Sequence, residues 1–406
     1  MILAAELVLI VVAIPIALAC GYLALLTALS GRPDATPTCT AYPKIDIVVP
    51  AHDESLGIAG TLASLSAVDY PRSRYRIFVV ADNCTDDTAQ RATAAGACVI
   101  LRTVPEARGK GHALAFAFDG LLREGWSDAV VVVDADTVVA PDFLLRVGTR
   151  FARGAEAMQA DYAVRNPDES WRTRLMAIAF STFHELRSRA RERLGVSCGL
   201  RGNGMAFTAR TLRRVPWDAT SLTEDVEYGA RLGVAGVRVE YAGDARVFGS
   251  MPVDAKSSES QRVRWESGRA ALARTLVPML LGRGVVGAVR LDLAIDLLVP
   301  PLSWLALAVG IGTAASCALA WLQPAAALGV APWLVFGVAL AAYALRGWSL
   351  SGTGSRGLSA LAMAPAYVVW KLIVRLRRRG RAAGEWIRTT RRAPAGASQS
   401  GGGSWS

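Results

Sequence analysis

Hydrophobic positions form long uncharged runs near both ends of the chain and short apolar runs in between. Leu7 to Leu29 carries no charge over 23 residues, enough for a helix to cross a bilayer core of about 30 Å. A cleaved signal peptide is the alternative, but no Lys or Arg precedes the run. Leu297 to Leu345 is also uncharged and is interrupted at Gln323-Pro324, which predicts two spanning helices joined by a tight turn. We therefore predict a membrane anchor over 1–30 and a transmembrane hairpin over 293–346.

The central region alternates short apolar runs with helical patterns. Runs rich in Val and Ile, bounded by polar residues, predict four strands: Ile45 to Ala51, Tyr75 to Asp82, Ala97 to Arg102 and Ala129 to Asp136. Helical patterns separate them, at Gly57 to Ser66, Asp86 to Ala95 and Lys110 to Arg123. This order predicts an α/β fold with a parallel, doubly wound sheet, which binds ligands at the carboxyl ends of its strands.

Polar clusters follow three of these strands, and the most informative is Asp134-Ala135-Asp136. Side chains alternate along a strand, so the two carboxylates are expected on one side. Such a pair is costly unless a cation neutralises it, and carboxylates suit Mg²⁺ or Mn²⁺ completed by substrate phosphates. The other clusters are His52-Asp53-Glu54 and Asp82 to Asp86, where Asp86 is as well suited to capping a helix as to binding a ligand.

Lys110 lies between two glycines at the start of a predicted helix, a position that suits a phosphate contact. There is no Gly-x-x-x-x-Gly-Lys-Ser/Thr, and no Gly-x-Gly-x-x-Gly follows a strand. The sequence therefore gives no support for a P-loop nucleotidase or a dinucleotide enzyme. The six cysteines form no C-x-x-C pair, so neither a zinc site nor a disulfide framework is indicated.

The distribution of basic residues predicts how the chain is oriented in the membrane. The chain carries a formal net charge of +11, and nine basic residues and one acidic residue lie between Lys371 and Arg392. The positive-inside rule predicts that this tail and the central region are cytoplasmic, which requires an even number of spans between them. Three spans satisfy this parity if Gly357 to Trp370 is interfacial or re-entrant. Because the basic tail adjoins an apolar segment, anionic lipid is a simpler partner than nucleic acid.

Two further motifs suggest a family. Asp82, Asp134-x-Asp136, Thr223-Glu224-Asp225 and Gln261-x-x-Arg264-Trp265, in this order and between membrane segments, resemble the signature of membrane-bound family 2 glycosyltransferases. These enzymes include relatives of cellulose, chitin, hyaluronan and poly-N-acetylglucosamine synthases. The resemblance implies a GT-A domain over 45–270, with a linker over 31–44, an interfacial helix over 271–292, a second interfacial or re-entrant helix over 357–374 and a basic tail over 375–406.

The resemblance also implies roles for residues in transfer of a sugar from a UDP-sugar with inversion. Asp82 and Glu54 would contact the uridine, and Asp134 and Asp136 would hold Mg²⁺ or Mn²⁺ on the donor diphosphate with Lys110 nearby. Asp225 would be the general base, because a sugar hydroxyl is a poor nucleophile, and Glu224 would raise its pKa. The remaining substrate-binding residues are Arg264 on the diphosphate, Trp265 on the acceptor, and Gln261 and Asn203.

Alternatives remain at this stage. Thr223-Glu224-Asp225 also suits a helix start, with Thr223 or Ser221 as the cap. The acceptor is a polysaccharide or a lipid-linked molecule, and a partner protein could complete an export path. A catalytically silent membrane protein that binds a nucleotide sugar as a sensor or scaffold is the alternative from another class, and a sugar nucleotidyltransferase is a further enzyme alternative. The expected location is the inner or plasma membrane.

Overall fold

The computed structural model describes residues 2–32, 42–253, 268, 271–282 and 286–365. Most of the predicted linker, the Gln261-x-x-Arg264-Trp265 motif and the basic tail lie outside the described residues.

The strands are, in chain order, β1 (Ile45–Ala51), β2 (Tyr75–Asp82), β3 (Cys98–Arg102), β4 (Ala129–Val132), β5 (Thr137–Val139), β6 (Ala157–Val164), β7 (Met205–Thr208) and β8 (Val239–Gly249). The helices are α1 (Ile2–Leu29), α2 (Ile58–Ser66), α3 (Thr88–Ala94), α4 (Lys110–Glu124), α5 (Phe143–Ala152), α6 (Trp171–Phe180), α7 (Arg187–Arg193), α8 (Ala209–Arg214), α9 (Glu224–Val234), α10 (Ala271–Leu281), α11 (Ala288–Leu298), α12 (Leu302–Leu322), α13 (Val330–Leu350) and α14 (Gly354–Ala362). A π-helical turn, Ser181–Leu186, joins α6 to α7.

The strands form one mixed sheet in the order β3-β2-β1-β4-β7-β6-β8-β5. The four predicted strands are present and pair in parallel, β3 with β2, β2 with β1 and β1 with β4. The second half adds antiparallel pairs of β7 with β4 and with β6, so the sheet is mixed but mostly parallel, as the GT-A resemblance implied. The α/β class and the strand-end location of the polar clusters are confirmed.

The valine run that forms β4 is buried on both faces of the sheet. Val131 and Val133 belong to the core under α2 and α5, and Val130 and Val132 belong to the core under α4 and α9. Alternating side chains of an extended strand therefore supply two separate cores, which is why no polar residue interrupts the run. The strand ends at Val132, earlier than predicted, and a tight turn from Asp134 to Thr137 follows it.

Three helices are long and apolar enough to cross a membrane, with candidate spans at Ala4–Leu29, Leu302–Leu322 and Pro324–Leu350. They pack on one another through buried residues such as Leu23, Leu305 and Trp333. The carboxyl ends of α1 and α13 lie together, because Arg346 donates from Nε to the Ser30 hydroxyl at 2.9 Å and from Nη2 to the Ser30 carbonyl at 2.9 Å. The hairpin therefore returns the chain to the end of α1 that faces the sheet.

Two predicted boundaries differ. The sequence predicted one interfacial helix over 271–292, whereas the structure has α10 and then α11. The amino-terminal part of the predicted segment 357–374 is α14, a helix of 9 residues, and 366–374 lie outside the described residues. Asp292 and Asp296 bind α11 to Arg191 and Arg187 of α7, so α11 has a buried polar face that an interfacial helix would not need.

A buried ionic cluster connects α7, which belongs to the domain built on the sheet (the sheet domain), to α11 and to two of the candidate membrane spans. Arg187 Nη1 donates to Asp296 Oδ1 at 2.9 Å, and Arg191 Nε donates to Asp292 Oδ2 at 2.6 Å. Two tyrosines of the candidate spans join it: Tyr22 donates to Asp292 at 2.9 Å, and Arg187 Nε donates to the Tyr343 hydroxyl at 2.7 Å. We call the four charged residues the joint cluster: Arg187, Arg191, Asp292 and Asp296.

Candidate active site

Residues from all three polar clusters at the strand ends line one cavity of about 1480 Å³. It brings together nearly all the predicted site residues that the structure describes: Glu54, Asp82, Lys110, Asp134, Asp136, Glu224 and Asp225. These residues come from positions up to 171 apart in the sequence, and the sheet and the start of α9 place them around one space. Asn203 is the exception, and Gln261, Arg264 and Trp265 lie outside the described residues.

Asp134 and Asp136 lie in a tight turn between β4 and β5. The turn is closed by the amide of Thr137, which donates to the Asp134 carbonyl at 3.1 Å. Both side chains are partly exposed in the cavity, although the alternation of an extended strand is not what puts them there. Paired carboxylates at the edge of a cavity are the donor set that Mg²⁺ and Mn²⁺ take, so these residues fit the predicted metal.

Asn203 is buried behind this turn, and it does not line the cavity. Its Oδ1 accepts from the Asp134 amide at 3.1 Å and its Nδ2 donates to the Thr137 hydroxyl at 2.8 Å. The carbonyl of Asn203 accepts from Gln159 Nε2 at 2.7 Å. A substrate contact by Asn203 stays a prediction: in this structure its amide side chain satisfies a donor and an acceptor at once, and it fixes the shape of the turn that carries Asp134.

Lys110 is the first residue of α4 and links the two sides of the cavity. Its Nζ lies 2.5 Å from Asp134 Oδ1 and 3.8 Å from Glu224 Oε1, and it donates to the Gly202 carbonyl. Burial alone would lower the pKa of Lys110, but the charges of Asp134 and Glu224 hold that pKa above its ordinary value. The ammonium group is therefore fixed as a cation between the paired aspartates and α9.

Glu224 and Asp225 begin α9, as the helix-start alternative predicted, but neither candidate cap bonds the helix through its side chain. The side chains of Ser221 and Thr223 accept no hydrogen bond among the described residues, and the Ser221 amide instead donates to Glu227 at 3.2 Å. Burial raises the pKa of Asp225, and it raises the pKa of Glu224 to about 7, with Lys110 opposing this second rise. Two adjacent buried carboxylates with high proton affinity are suited to accepting a proton.

Asp82 ends β2 and is held by a residue that the sequence did not indicate. Arg102, opposite Asp82 on the neighbouring strand, donates from Nη1 to Asp82 Oδ1 at 2.5 Å. Asn83 Nδ2 donates to the same oxygen at 2.9 Å. Asp82 is almost fully buried and lines the cavity next to Glu54. An ion pair across two strands depends on strand register, so spacing in the sequence carries no signal for it.

A second carboxylate group lies in the loops after β1 and β2. Ligand atoms of Asp53, Cys84 and Asp86 are within 4.8 Å of one another. Asp53 already accepts from the Thr85 amide at 2.6 Å, and Asp86 accepts from the Thr88 amide at 3.0 Å at the start of α3. Asp86 therefore stabilises the helix start, which was one of its two predicted roles. The Asp53 and Asp86 carboxylates therefore stabilise these loops through hydrogen bonds to backbone amides.

Three residues on the other side of Asp225 also escaped sequence reasoning. Arg201 lines the cavity with its guanidinium carbon 4.4 Å from the centre of the Phe183 ring, and its Nη2 donates to the Cys198 carbonyl at 3.0 Å. His184 lines the same wall, and burial and the charge of Arg201 keep its pKa well below the ordinary value. Phe183 and His184 belong to the π-helical turn, whose period no amphipathic pattern reveals.

Comparison with known proteins identifies the family. Residues 43–268 match the family described as "Glycosyltransferase like family 2". The chain is 26% identical over 237 residues to the probable glycosyltransferase YdaM of Bacillus subtilis, a match covering 56% of this chain and 55% of that protein. It is 28% identical over 235 residues to the beta-monoglucosyldiacylglycerol synthase of Nostoc, a match covering 56% of this chain and 49% of that one.

The curated relatives are therefore matched over about half their length. Among solved structures, the mannosyltransferase PcManGT of Pyrobaculum calidifontis, in complex with GDP-Man and Mn²⁺, aligns with a TM-score of 0.59 at 21% identity. That alignment covers 89% of this chain and 98% of the other, so the two share a GT-A fold. The matched region contains every element that lines the charged part of the cavity, and the chain is a member of glycosyltransferase family 2.

Proposed function

We propose that this protein is a membrane-anchored, inverting glycosyltransferase that uses a nucleotide sugar, with a preference for a UDP-sugar, and a divalent metal. The observation that carries the proposal is the arrangement of Asp134, Asp136, Lys110 and Asp225 around one cavity, with Lys110 bridging between the paired aspartates and α9. This arrangement supports a donor diphosphate on one side of Lys110 and an acceptor hydroxyl on the other.

On the donor side, Asp134 and Asp136 would hold Mg²⁺ or Mn²⁺, and Asp82 and Glu54 would contact the nucleoside. The metal, when bound, would neutralise charge that develops on the leaving diphosphate. Lys110 lies 2.5 Å from Asp134 Oδ1, so its ammonium group would support the same phosphates. We also propose that Arg264 contacts the diphosphate and that Gln261 and Trp265 contact substrate, as the family resemblance implies.

On the acceptor side, Asp225 would take the proton of the attacking hydroxyl. The new bond forms from that oxygen to the anomeric carbon, while the bond from this carbon to the diphosphate breaks and the nucleoside diphosphate leaves with the electron pair. Attack from the face opposite the leaving group inverts the configuration. A base with a raised pKa is matched to this task, and burial of the Glu224–Asp225 pair supports that role.

We further propose that α1, α12 and α13 span the membrane and that the sheet domain is cytoplasmic. The contact between Arg346 and Ser30 supports this topology, because it puts the carboxyl ends of α1 and α13 on the side of the sheet. The amino terminus and the turn Pro324–Gly329 would then lie on the opposite side. The domain division over 1–30, 45–270 and 293–346 follows from the same topology.

The test is release of nucleoside diphosphate from a panel of UDP- and GDP-sugars by purified protein in nanodiscs, with Mn²⁺ or Mg²⁺ and with added lipid extract and oligosaccharides. Metal-dependent turnover of one donor is expected, and Asp134→Ala/Asp136→Ala should abolish it. Asp87→Ala/Asp119→Ala removes two exposed carboxylates and is the matched control. Equal loss in both double variants, or turnover unaffected by chelation, would contradict the metal role.

A further inference from the structure

The cavity continues well beyond the charged residues. Past Asp225 it is lined by the π-helical turn, by the connection between α11 and α12, and by α13. Its far end is lined mainly by aliphatic and aromatic side chains, among them Leu298, Trp304, Leu340, Ala341 and Ala344, with Arg187 beside Tyr343 as a charged member of the lining. Trp304 belongs to one candidate membrane span, and Leu340, Ala341 and Ala344 belong to another. One continuous space therefore connects the charged site with helices that are built for a lipid environment.

Between the charged part and this apolar end lies a short polar section formed by Arg201 and His184, with the Phe183 ring packed against Arg201. Arg201 is close enough to Asp225 to oppose the rise of its pKa, and it also acts on His184. The Nδ1 atom of His184 is buried and has no hydrogen-bond partner among the described residues. A proton on Nδ1 would be a buried N–H without an acceptor, so the neutral His184 ring carries its proton on Nε2. The Nε2–H group is then an uncharged hydrogen-bond donor of the residue that lines the cavity.

The π-helical turn is in direct contact with α13. The Tyr343 hydroxyl donates to the Thr182 carbonyl in the π-helical turn at 3.2 Å. Gly347 allows the close approach, because a Cβ atom there would lie 1.9 Å from the Thr182 hydroxyl oxygen. The polar section therefore has a fixed position relative to a candidate span, and the order along the cavity is charged site, polar section, apolar end.

We propose that the acceptor is a membrane lipid with a free hydroxyl group, a deduction that rests on the function proposed above. The hydroxyl would meet Asp225, an oxygen-containing linkage would meet Arg201 and His184, and the hydrocarbon would lie along α13. A sugar polymer would require hydrogen-bonding groups where Leu340, Ala341 and Ala344 lie. During transfer the lipid oxygen bonds to the anomeric carbon, its proton passes to Asp225, and the nucleoside diphosphate departs.

The experiment compares acceptors and two adjacent positions of α13. Purified protein with its preferred donor is given dioleoylglycerol in mixed micelles or soluble oligosaccharides, and product is separated into organic and aqueous phases. Both positions are exposed, but only Ala341 lines the cavity, so Ala341→Trp adds bulk to the apolar end and Ala342→Trp adds the same bulk outside it. If Ala341→Trp fails to fold, the smaller pair Ala344→Leu and Ala342→Leu makes the same comparison.

Transfer to dioleoylglycerol, with its KM raised at least ten-fold in Ala341→Trp and unchanged in Ala342→Trp, would support the proposal. Transfer to soluble oligosaccharides alone, with Ala341→Trp equal to Ala342→Trp, would overturn it and leave the proposed glycosyltransferase function standing. Failure to consume any donor in the presence of metal and both acceptors would instead overturn the proposed function, and the lipid assignment with it.

Discussion

Two buried groups of charges differ in how their charges are balanced. The joint cluster sets the two guanidinium groups of Arg187 and Arg191 against the two carboxylates of Asp292 and Asp296, with direct bonds of 2.6 to 3.4 Å. The second group, which we call the site cluster, has four carboxylates around the ammonium group of Lys110: Asp134, Asp136, Glu224 and Asp225. All four carboxylates of the site cluster line the cavity, whereas the joint cluster is almost fully buried among helices and only its Arg187 lines the cavity.

This difference separates structure from function. A balanced, hydrogen-bonded cluster is satisfied by the fold itself, and removal of one member leaves an uncompensated charge. Repulsion among the carboxylates of an acidic cluster beside a cavity falls when a cation binds with a ligand. Such a cluster is therefore more stable when the ligand is bound. We therefore expect changes in the joint cluster to alter the free energy of unfolding, and changes in the site cluster to alter catalysis while the fold persists.

The largest expected effect is that of Asp225→Asn. The amide keeps the size of the side chain but cannot accept a proton at neutral pH, so kcat should fall by about 10² to 10⁴. Donor affinity should change little, and the melting temperature should stay equal or rise, because a buried like charge beside Glu224 is removed. Single-turnover kinetics and donor titration measure the first two quantities. A large fall in melting temperature would contradict the comparison between the clusters.

The next effect concerns the joint cluster. Arg191 is fully buried, and Arg191→Met leaves Asp292 and Asp296 short of a partner, which should lower the free energy of unfolding by about 3–5 kcal/mol. Arg123→Met is the control, because Arg123 forms an exposed pair with Asp119 on α4, and this change should cost about 0–1 kcal/mol. Denaturant unfolding in detergent micelles measures both. Equal losses would show that the joint cluster does not stabilise the fold.

The smallest effect is a shift in pH dependence. Burial raises the pKa of Glu224 to about 7 and also raises that of Asp225, so kcat/KM should fall as pH drops through about 7. Glu224→Gln removes the neighbouring charge, and the acid limb should move to lower pH. An acid limb that stays in place in Glu224→Gln would show that the two carboxyl groups do not interact.

The same shift has a consequence for stability. Because the folded pKa of Glu224 lies above its ordinary value of 4.5, the folded protein binds more protons than the unfolded chain between 4.5 and about 7. The contribution of this group to stability is therefore lost as pH rises through that window. In Glu224→Gln this loss should be absent, and unfolding measured across the window checks it.

Much of the sheet domain could be predicted from local pattern. The boundaries of β1 and β2 are as predicted, and those of α2 and α4 differ by one residue at one end, because apolar runs and glycine or polar breaks are signals within a few residues. The uncharged runs likewise predicted three candidate spans. The turn that begins at Asp134 could not be predicted, because the valine run continues past the end of β4 at Val132. The contacts of Asn203 could not be predicted either, because its partners lie 66 and 69 residues away in the sequence.

By itself, the sequence determined the α/β class, the apolar helices, and the carboxylates and lysine that form the charged site, since residue type and short-range periodicity encode these. Only the tertiary structure decided that Arg102 holds Asp82, that the joint cluster ties α7 to α11, and that Phe183, His184 and Arg201 continue the cavity toward α13. Such contacts depend on strand register, on a π-helical turn and on helix packing across more than a hundred residues. No local pattern carries that information, because the energy of these contacts comes from groups that meet only after the chain has folded.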